Sequence, residues 1–258
     1  MRLAELAERG AIPSFLEIAL RGSERWRVER ISRPYPYVYQ LRQYDLFYAR
    51  DIEPQQGPTK YLHSARVINH AARKTSKTVV SKAYERVFQR PLLVYYDRDP
   101  DPGLVVSKSE KQTIGVARIE EPTWRGRCYN RIAGKLNETY GAYIIDGELV
   151  YLYKFTAPEG TPAKLKSVIE RTYYTPEESH RMLDPHMDQI RTMLDLLWVD
   201  LCRIDMGFDP DGTPVIYDVN SSPFEENHKD PMYQKTGLQE YARSVVEKAL
   251  DARMEMAR

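Results

Sequence analysis

The sequence is short of cysteine and has no excess of charge of either sign. Its 258 residues include only two cysteines, Cys128 and Cys202, which lie far apart in the chain. This content suits a reducing cytosol better than a disulfide framework. Lys and Arg number 38 and Asp and Glu number 37, which excludes a globally basic surface for nucleic acid and an acidic tail. A small molecule is therefore the expected partner.

Long apolar runs are also absent. No run approaches the roughly 20 residues that a membrane-spanning helix needs, and the first ten residues, MRLAELAERG, lack the apolar core of a signal peptide. The sequence therefore predicts a soluble, cytoplasmic protein with no membrane partner. Its length allows two or three compact subdomains around a large core.

The stretch from Leu201 to Pro223 carries the clearest signal in the chain. Its central tetrapeptide, Asp209-Pro210-Asp211-Gly212, predicts a turn, because Pro presets φ and Gly supplies the positive φ of a tight reversal. Strands are expected on both sides, so the stretch is predicted to be a β-hairpin. Turn chemistry alone accounts for Asp209 and Asp211.

Polar residues inside the two predicted strands need another explanation, because Asp and Asn are depleted in strands. Side chains alternate along a strand, so Arg203 and Asp205 share one face of the first strand. Asp218 and Asn220 share one face of the returning strand. The two faces coincide if the hairpin has a suitable register.

A register that pairs Phe208 with Thr213 brings the acids together. Asp205 then lies opposite Ile216 and diagonal to Asp218, with a Cβ separation of roughly 7 Å. Two carboxylates at this range repel each other and are costly to desolvate.

A hard divalent cation resolves this conflict. Mg²⁺ prefers oxygen ligands and usually takes one or two carboxylates from the protein, with water and nucleotide phosphate supplying the rest. The sequence therefore predicts a magnesium site made by Asp205, Asp218 and Asn220. The alternative is a solvated hairpin with no ligand.

The same residues carry a resemblance to a known superfamily. The sequence resembles the C-terminal metal-binding signature of ATP-grasp enzymes, which include D-alanine–D-alanine ligase, bacterial glutathione synthetase and ribosomal-protein glutamate ligases. The matching positions are Arg203-Ile204-Asp205, Asp211-Gly212, Asp218-Val219-Asn220 and Pro223. The resemblance implies that Asp205, Asp218 and Asn220 hold Mg²⁺ and that Arg203 is catalytic and faces the reacting carbonyl. The ligases usually have Glu where this chain has Asp218, whereas the inositol-phosphate kinases of the superfamily have Asp.

The resemblance also implies ligands for ATP in the middle of the chain. Lys77, with Lys74 as an alternative, matches a lysine that lies on a helix of the family and approaches the phosphates. Lys108 is at the end of a predicted strand, and the corresponding strand of the family ends in a lysine that contacts the phosphates. Lys154 takes the place of a common Arg. The segment that bonds adenine through its backbone corresponds to Cys128, Tyr129, Asn130 and Ile132. The loop after Lys108 has one Gly where the family has several, which leaves open a nucleotide-binding module without turnover.

Local patterns predict the remaining elements. A helix is expected from Leu3 to Arg9 and a strand or a second helix from Ile12 to Leu20. A helix from His70 to Phe88 and a strand from Pro91 to Tyr96 follow. The other predicted elements are strands at residues 26–31, 44–50, 65–69, 104–108 and 115–120, a hairpin at 139–155 that turns at Asp146-Gly147, a basic lid at 156–176, and helices at 184–198 and 238–254.

Together these patterns predict an α/β (α+β) protein with the ATP-grasp fold, in which two α+β subdomains grip ATP. The expected domains are a reduced α/β domain at residues 1–64, the first subdomain at 65–132 and the second at 133–258. The expected activity is ATP-dependent carboxylate–amine ligation through an acyl phosphate, with ATP and Mg²⁺ as cofactors and amino acids or a peptide as substrates. The alternative is a kinase acting on a polyol or inositol-type alcohol. The resemblance makes a homodimer a further expectation.

Overall fold

In a computed structural model, the chain is described at residues 1–7, 13–32, 42–50, 66–70, 76–95, 105–109, 118–120, 127–131, 135, 137–159, 170–223 and 237–257. At residues 32, 105–109, 118–120 and 127 only the backbone is described. The described elements form three sheets with helices packed against them.

The first sheet is parallel and lies at the N-terminus. Its strands are β1 (Arg2–Ala7), β2 (Arg27–Ser32), β3 (Leu46–Ala49) and β4 (Val67–Ile68). They lie in the order β2-β1-β3-β4, and every pair is parallel. The strands predicted at residues 26–31, 44–50 and 65–69 are therefore confirmed, with shorter bounds for the last two.

The helix predicted from Leu3 to Arg9 is wrong. The described part of that segment belongs to β1, which is hydrogen-bonded to a neighbour on each side. Every side chain from Leu3 to Ala7 is buried, so the strand shows no alternation of polar and apolar residues. A strand covered on both faces has this appearance, and Leu3 and Leu6 then match the spacing of a helix.

The buried charge of Glu5 is paired inside this sheet. Its side chain is fully buried, and its carboxylate accepts a hydrogen bond of 2.7 Å from Nη1 of Arg50. The Ser14 hydroxyl also donates to Glu5 and accepts the backbone N–H of Glu17, which caps the short helix α1 (Phe15–Ala19). Of the two alternatives for residues 12–20, the helix is therefore correct.

The second sheet has three antiparallel strands. They are β5 (Val105–Ser109), β6 (Arg118–Glu120) and β7 (Arg127–Arg131), in the order β6-β5-β7. On its other side β7 meets residues 92–94 through a single bridge, Leu93 to Asn130. The strand predicted from Pro91 to Tyr96 is reduced to this short contact, and Tyr96 lies outside the described residues.

Helix α2 (Lys77–Phe88) contacts β7 of the second sheet. It begins at Lys77 rather than at the predicted His70, because the Ser76 hydroxyl accepts the N–H of Val79 and caps the first turn. The buried Asn130 donates to the Ser81 hydroxyl at 2.8 Å, which joins β7 to this helix.

The third sheet is antiparallel and has five strands. They are β8 (Glu138–Ile145), β9 (Glu148–Thr156), β10 (Glu170–Tyr173), β11 (Leu201–Phe208) and β12 (Pro214–Asn220). Their order is β10-β9-β8-β11-β12, so β12 is an edge strand. The two predicted hairpins are both present, and the Asp146-Gly147 turn has positive φ at both residues, 49° and 75°, as an Asp-Gly turn favours.

Helices cover both faces of this sheet. The helix predicted at residues 184–198 consists of one turn of 3-10 helix (Asp184–His186) followed by α4 (Met187–Leu197). An unpredicted helix, α3 (Pro176–Leu183), comes directly before them, and α5 (Leu238–Met256) follows the hairpin as predicted. One face packs on α2, α3 and α4 through Ile144, Leu152, Ile204, Val219, Tyr84 and Leu194. The other packs on α1, α5 and the first sheet through Tyr143, Tyr151, Phe15, Tyr48 and Val246. The first and third sheets thus share a core, and the division at residues 64 and 132 stays a prediction.

Candidate metal and nucleotide site

The β11–β12 hairpin places the two predicted metal-binding acids directly opposite each other. Asp205 pairs with Asp218, and Arg203 pairs with Asn220. Directly opposite residues have Cβ atoms about 4.5–5.5 Å apart, which is closer than the predicted diagonal. The predicted pairing of Phe208 with Thr213 is wrong, because Phe208 pairs with Pro214.

A β-bulge accounts for the rest of the difference in register. Met206 pairs with Ile216 while Asp205 pairs with Asp218, so Tyr217 is an extra residue on β12. A Cβ added at Gly207 would lie 2.6 Å from the Tyr217 hydroxyl oxygen. Glycine at this position therefore leaves room for the Tyr217 ring, which would have to shift for any larger residue.

Arg203 neutralises the first acid. Its Nε and Nη2 atoms donate to the two carboxylate oxygens of Asp205 at 2.9 and 3.1 Å, a bidentate geometry. Burial opposes the guanidinium charge most strongly, but the charge of Asp205 and those of the Tyr153 and Tyr143 hydroxyl groups when ionised outweigh it and raise the pKa of Arg203 well above its ordinary value. Arg203 is therefore a fixed positive charge on the face that carries both acids.

Lys77 neutralises the second acid. Its ammonium contacts Oδ2 of Asp218, while Oδ1 of the same carboxylate accepts the N–H of Val219 at 2.9 Å. Lys77 is the first residue of α2, and Asp218 is on the edge strand that α2 packs against. Two elements separated by more than a hundred residues of sequence thus meet at this carboxylate.

These residues fit a hard divalent cation. Like charges directly opposite each other destabilise a strand pair, and the chain places one of its own cations on each carboxylate. Asn220 adds an amide oxygen, which accepts the N–H of Ser222 at 3.0 Å and keeps a second lone pair. Two carboxylates and an amide match the few protein ligands that Mg²⁺ takes beside phosphate. Among the described residues no group of three or more Asp, Glu, His or Cys side chains is placed to hold a metal ion.

Asn69, a residue for which the sequence predicts no role at the site, forms hydrogen bonds with both sides of the open end of this hairpin. Its Nδ2 atom donates to the carbonyls of Leu201 and Ser221 at 2.9 and 2.7 Å, and its Oδ1 atom accepts the N–H groups of Asp200 and Leu201. The side chain is buried, and its backbone has a φ of 60°, which Asn tolerates better than most residues. Asp200 in turn accepts the Asn69 N–H and pairs with Arg253 of α5.

The acids at the tip of the hairpin have a structural role. Arg90 contacts Asp209 at 3.2 Å and Asp211 at 2.6 Å. The hydrogen bond from Arg90, followed by those from Thr213, lowers the pKa of Asp211. The turn interpretation of these two residues is therefore consistent with their contacts.

The other predicted ATP ligands lie away from the two acids or outside the described atoms. Lys108 is in β5 opposite Cys128, but its side chain is outside the described residues, as is the whole of Ile132. Cys128, Tyr129 and Asn130 have buried side chains. The Tyr129 carbonyl accepts the N–H of Val94. Their contact with adenine stays a prediction.

Lys154 lies in the β8–β9 hairpin with Glu138. Its ammonium is 3.7 Å from the Glu138 carboxylate. The register places it in the row of Met206 and Tyr140, one residue away from the row of Asp205 and Gly141, so it projects from the opposite face of the sheet. Its nucleotide role stays a prediction. The central part of the predicted lid, residues 160–169, lies outside the described residues, and its last part forms β10.

No protein-family model and no curated protein matches the sequence. Among solved structures, similar folds include D-alanine–D-alanine ligase from Bacillus anthracis complexed with ATP, at 14% identity, a TM-score of 0.59 and 99% coverage of each chain. The ATP-grasp ligase PsnB complexed with a minimal precursor has 11% identity and a TM-score of 0.65, over 98% of this chain and 99% of that one. The macrocyclase MdnC bound with precursor peptide MdnA, from Microcystis aeruginosa MRC, has 9% identity and a TM-score of 0.60, over 95% and 99%. The chain thus has the ATP-grasp fold. No described helix has the length and apolar character needed to cross a membrane.

Proposed function

We propose that this protein is an ATP-dependent carboxylate–amine ligase that uses Mg²⁺ and forms an acyl phosphate. The observation that carries the proposal is the direct pairing of Asp205 with Asp218 on an ATP-grasp fold, with Arg203 and Lys77 beside them. Pairs of acids on neighbouring strands favour a bound cation, and the similar D-alanine–D-alanine ligase was determined in complex with ATP.

Each residue has a defined part in this chemistry. Asp205, Asp218 and Asn220 would hold Mg²⁺, which when bound neutralises charge on the phosphoryl group in transfer. Arg203 would face the reacting carbonyl and stabilise the oxyanion that forms as the amine adds. Such a reaction needs charge neutralisation and no protein nucleophile. Lys77, Lys108 and Lys154 would bind the nucleotide phosphates. The backbone from Cys128 to Ile132 would bind adenine.

The bulge removes one objection to a ligase. Asp218 has a shorter side chain than the Glu that the ligases usually carry, so it reaches less far toward a shared metal. Placing Asp218 directly opposite Asp205 shortens the distance that its carboxylate must span. The shorter acid, which suggests the kinase alternative, is therefore no obstacle to a ligase.

The carboxylate and amine are proposed to come from amino acids or a peptide. Two of the similar structures, PsnB and MdnC, were determined with a precursor or a precursor peptide, and a third is a ligase of D-alanine. We propose that the protein acts in the cytoplasm, with no nucleic acid or membrane as its partner, and assembles as a homodimer.

Phosphate release in the presence of ATP, Mg²⁺ and pools of amino acids or short peptides tests the proposal. We expect release only when both a carboxylate and an amine are present, and we expect Asp218→Asn to lower the rate by orders of magnitude, about 10²-fold or more, because a metal ligand is lost. Asp211→Asn is the matched control, since Asp211 is more than half exposed and contacts Arg90 at the hairpin tip.

Three other outcomes would contradict the proposal. An unchanged rate in Asp218→Asn would remove the metal assignment. A phosphate ester formed without free phosphate would identify a kinase. Binding of a non-hydrolysable ATP analogue without turnover of any pool would identify a nucleotide-binding module.

A further inference from the structure

The two acids of the candidate site are neutralised in different ways. Arg203 is on the same strand as Asp205 and grips it with two hydrogen bonds, so this pair is preorganised and directional. Lys77 comes from another element and contacts Asp218 through one ammonium at the end of a flexible stem. Of the two pairs, the lysine pair is the one that a competing charge can displace.

The position of Lys77 in its helix adds to this difference. Lys77 is the first residue of α2, and the first turn of that helix has no acidic residue. A cation at a helix N-terminus is unfavourable, because the helix dipole is positive there. The ammonium of Lys77 therefore needs an external anion, which Asp218 supplies in the described contacts. A nucleotide phosphate at the proposed site is a second anion of the same kind.

Asp218 cannot serve a lysine and a metal ion fully at the same time. The ammonium is only 14% exposed and the Asp218 carboxylate 25% exposed, so the two charges meet where solvent screens them incompletely. A divalent ion bound beside them would be repelled by the ammonium, because like charges at this range interact unfavourably wherever solvent screens them incompletely.

We propose that Lys77 occupies the place of the metal on Asp218 until nucleotide phosphates draw it away, so that the metal binds with the nucleotide and not before it. This inference rests on the proposed function and adds to it an order of binding. By reciprocity, whatever releases Lys77 from Asp218 raises the affinity for metal by the same factor by which metal raises the affinity for that anion.

Binding of Mn²⁺ alone, followed by the loss of the free-ion signal in electron paramagnetic resonance, tests the proposal without any turnover. We expect Lys77→Met to bind Mn²⁺ roughly tenfold to a hundredfold more tightly than the parent protein in the absence of nucleotide, because a neighbouring positive charge is removed. Lys77→Arg keeps the charge and should bind Mn²⁺ as weakly as the parent. Lys82→Met is the matched control, since Lys82 lies exposed on the same helix.

A second titration includes a non-hydrolysable ATP analogue. The parent protein should then gain affinity for Mn²⁺, and Lys77→Met should gain less, because it has no lysine to release. Lys77→Gln replaces the methionine variant if the latter does not fold, since its amide can still donate to Asp218.

The outcomes separate this inference from the proposed function. If the parent binds Mn²⁺ with the analogue but Lys77→Met and Lys77→Gln bind Mn²⁺ alone no more tightly than the parent, the proposed order of binding is wrong and the proposed site stands. If the parent binds no Mn²⁺ with or without the analogue, the proposed function itself is wrong.

Discussion

Substitution of Asn69 by alanine should destabilise the protein severely. The change removes four side-chain hydrogen bonds of a buried residue, two to the Leu201 and Ser221 carbonyls and two from the N–H groups of Asp200 and Leu201. At about 1 kcal/mol for each bond, the loss is about 4 kcal/mol. The positive φ at this position adds about 1 kcal/mol against alanine.

Urea denaturation followed by circular dichroism measures the effect. With a slope of about 3 kcal/mol per molar urea for a chain of this size, a loss of about 5 kcal/mol lowers the midpoint by about 1.7 M. Asn137→Ala is the control, because Asn137 makes one such bond, from Nδ2 to the Ala157 carbonyl at 3.1 Å, and should lower the midpoint by about 0.3 M. Equal shifts of the midpoint for the two variants would refute the conclusion that the Asn69 hydrogen bonds stabilise the hairpin.

Two further predictions concern buried groups with raised pKa values. Burial, with smaller contributions from the charges of Asp209 and Asp211, raises the pKa of Tyr84 to about 12. In the unfolded chain the same hydroxyl ionises near its ordinary pKa of about 10. The stability that comes from this difference is therefore complete below pH 10 and is lost as the pH rises toward 12. Urea midpoints should therefore fall more steeply between pH 9 and 11 in the parent than in Tyr84→Phe, and parallel profiles would show that Tyr84 titrates normally. Burial, followed by the charges of Asp200 and Asp205, raises the pKa of the Cys202 thiol. Neither Cys202 nor the buried Cys128 should therefore react with Ellman's reagent in the native protein, whereas both should react in guanidinium. Rapid release of the chromophore from the native protein would contradict the burial.

Local signals identified the elements that carry the site. The alternation in β11 and β12 and the Pro and Gly of their turn define a hairpin without tertiary information, and the Asp146-Gly147 turn does the same for β8 and β9. Polar residues at strand positions then marked the acids. These features depend on neighbours in sequence, which a single chain displays directly.

The features that the sequence did not reveal depend on distant contacts. β1 is buried on both faces by residues that are distant in sequence. Leu3 packs in the core shared with the third sheet, and Leu6 packs in a separate cluster with Phe47. The contact of Lys77 with Asp218 joins residues 141 positions apart, and the Asn69 bonds to Leu201 join residues 132 positions apart. Residue propensities and hydrophobic periodicity do not predict contacts between residues so far apart in sequence. Asn69 ends the strand predicted at residues 65–69, and nothing in its neighbours marks a residue whose side chain bonds to two distant backbone segments.

The extra residue in β12 makes the hairpin unequally tolerant of changes in length. Removing Tyr217 would restore regular pairing and leave Asp218 opposite Asp205, because Tyr217 is the one extra residue that the bulge adds to β12. Adding a residue between Pro214 and Asp218 would turn Asp218 to the face opposite to Asp205, since each added residue exchanges the two faces of a strand. Descendants of this chain can therefore lose one position here and keep their paired acids, whereas a gain of one position abolishes the pair.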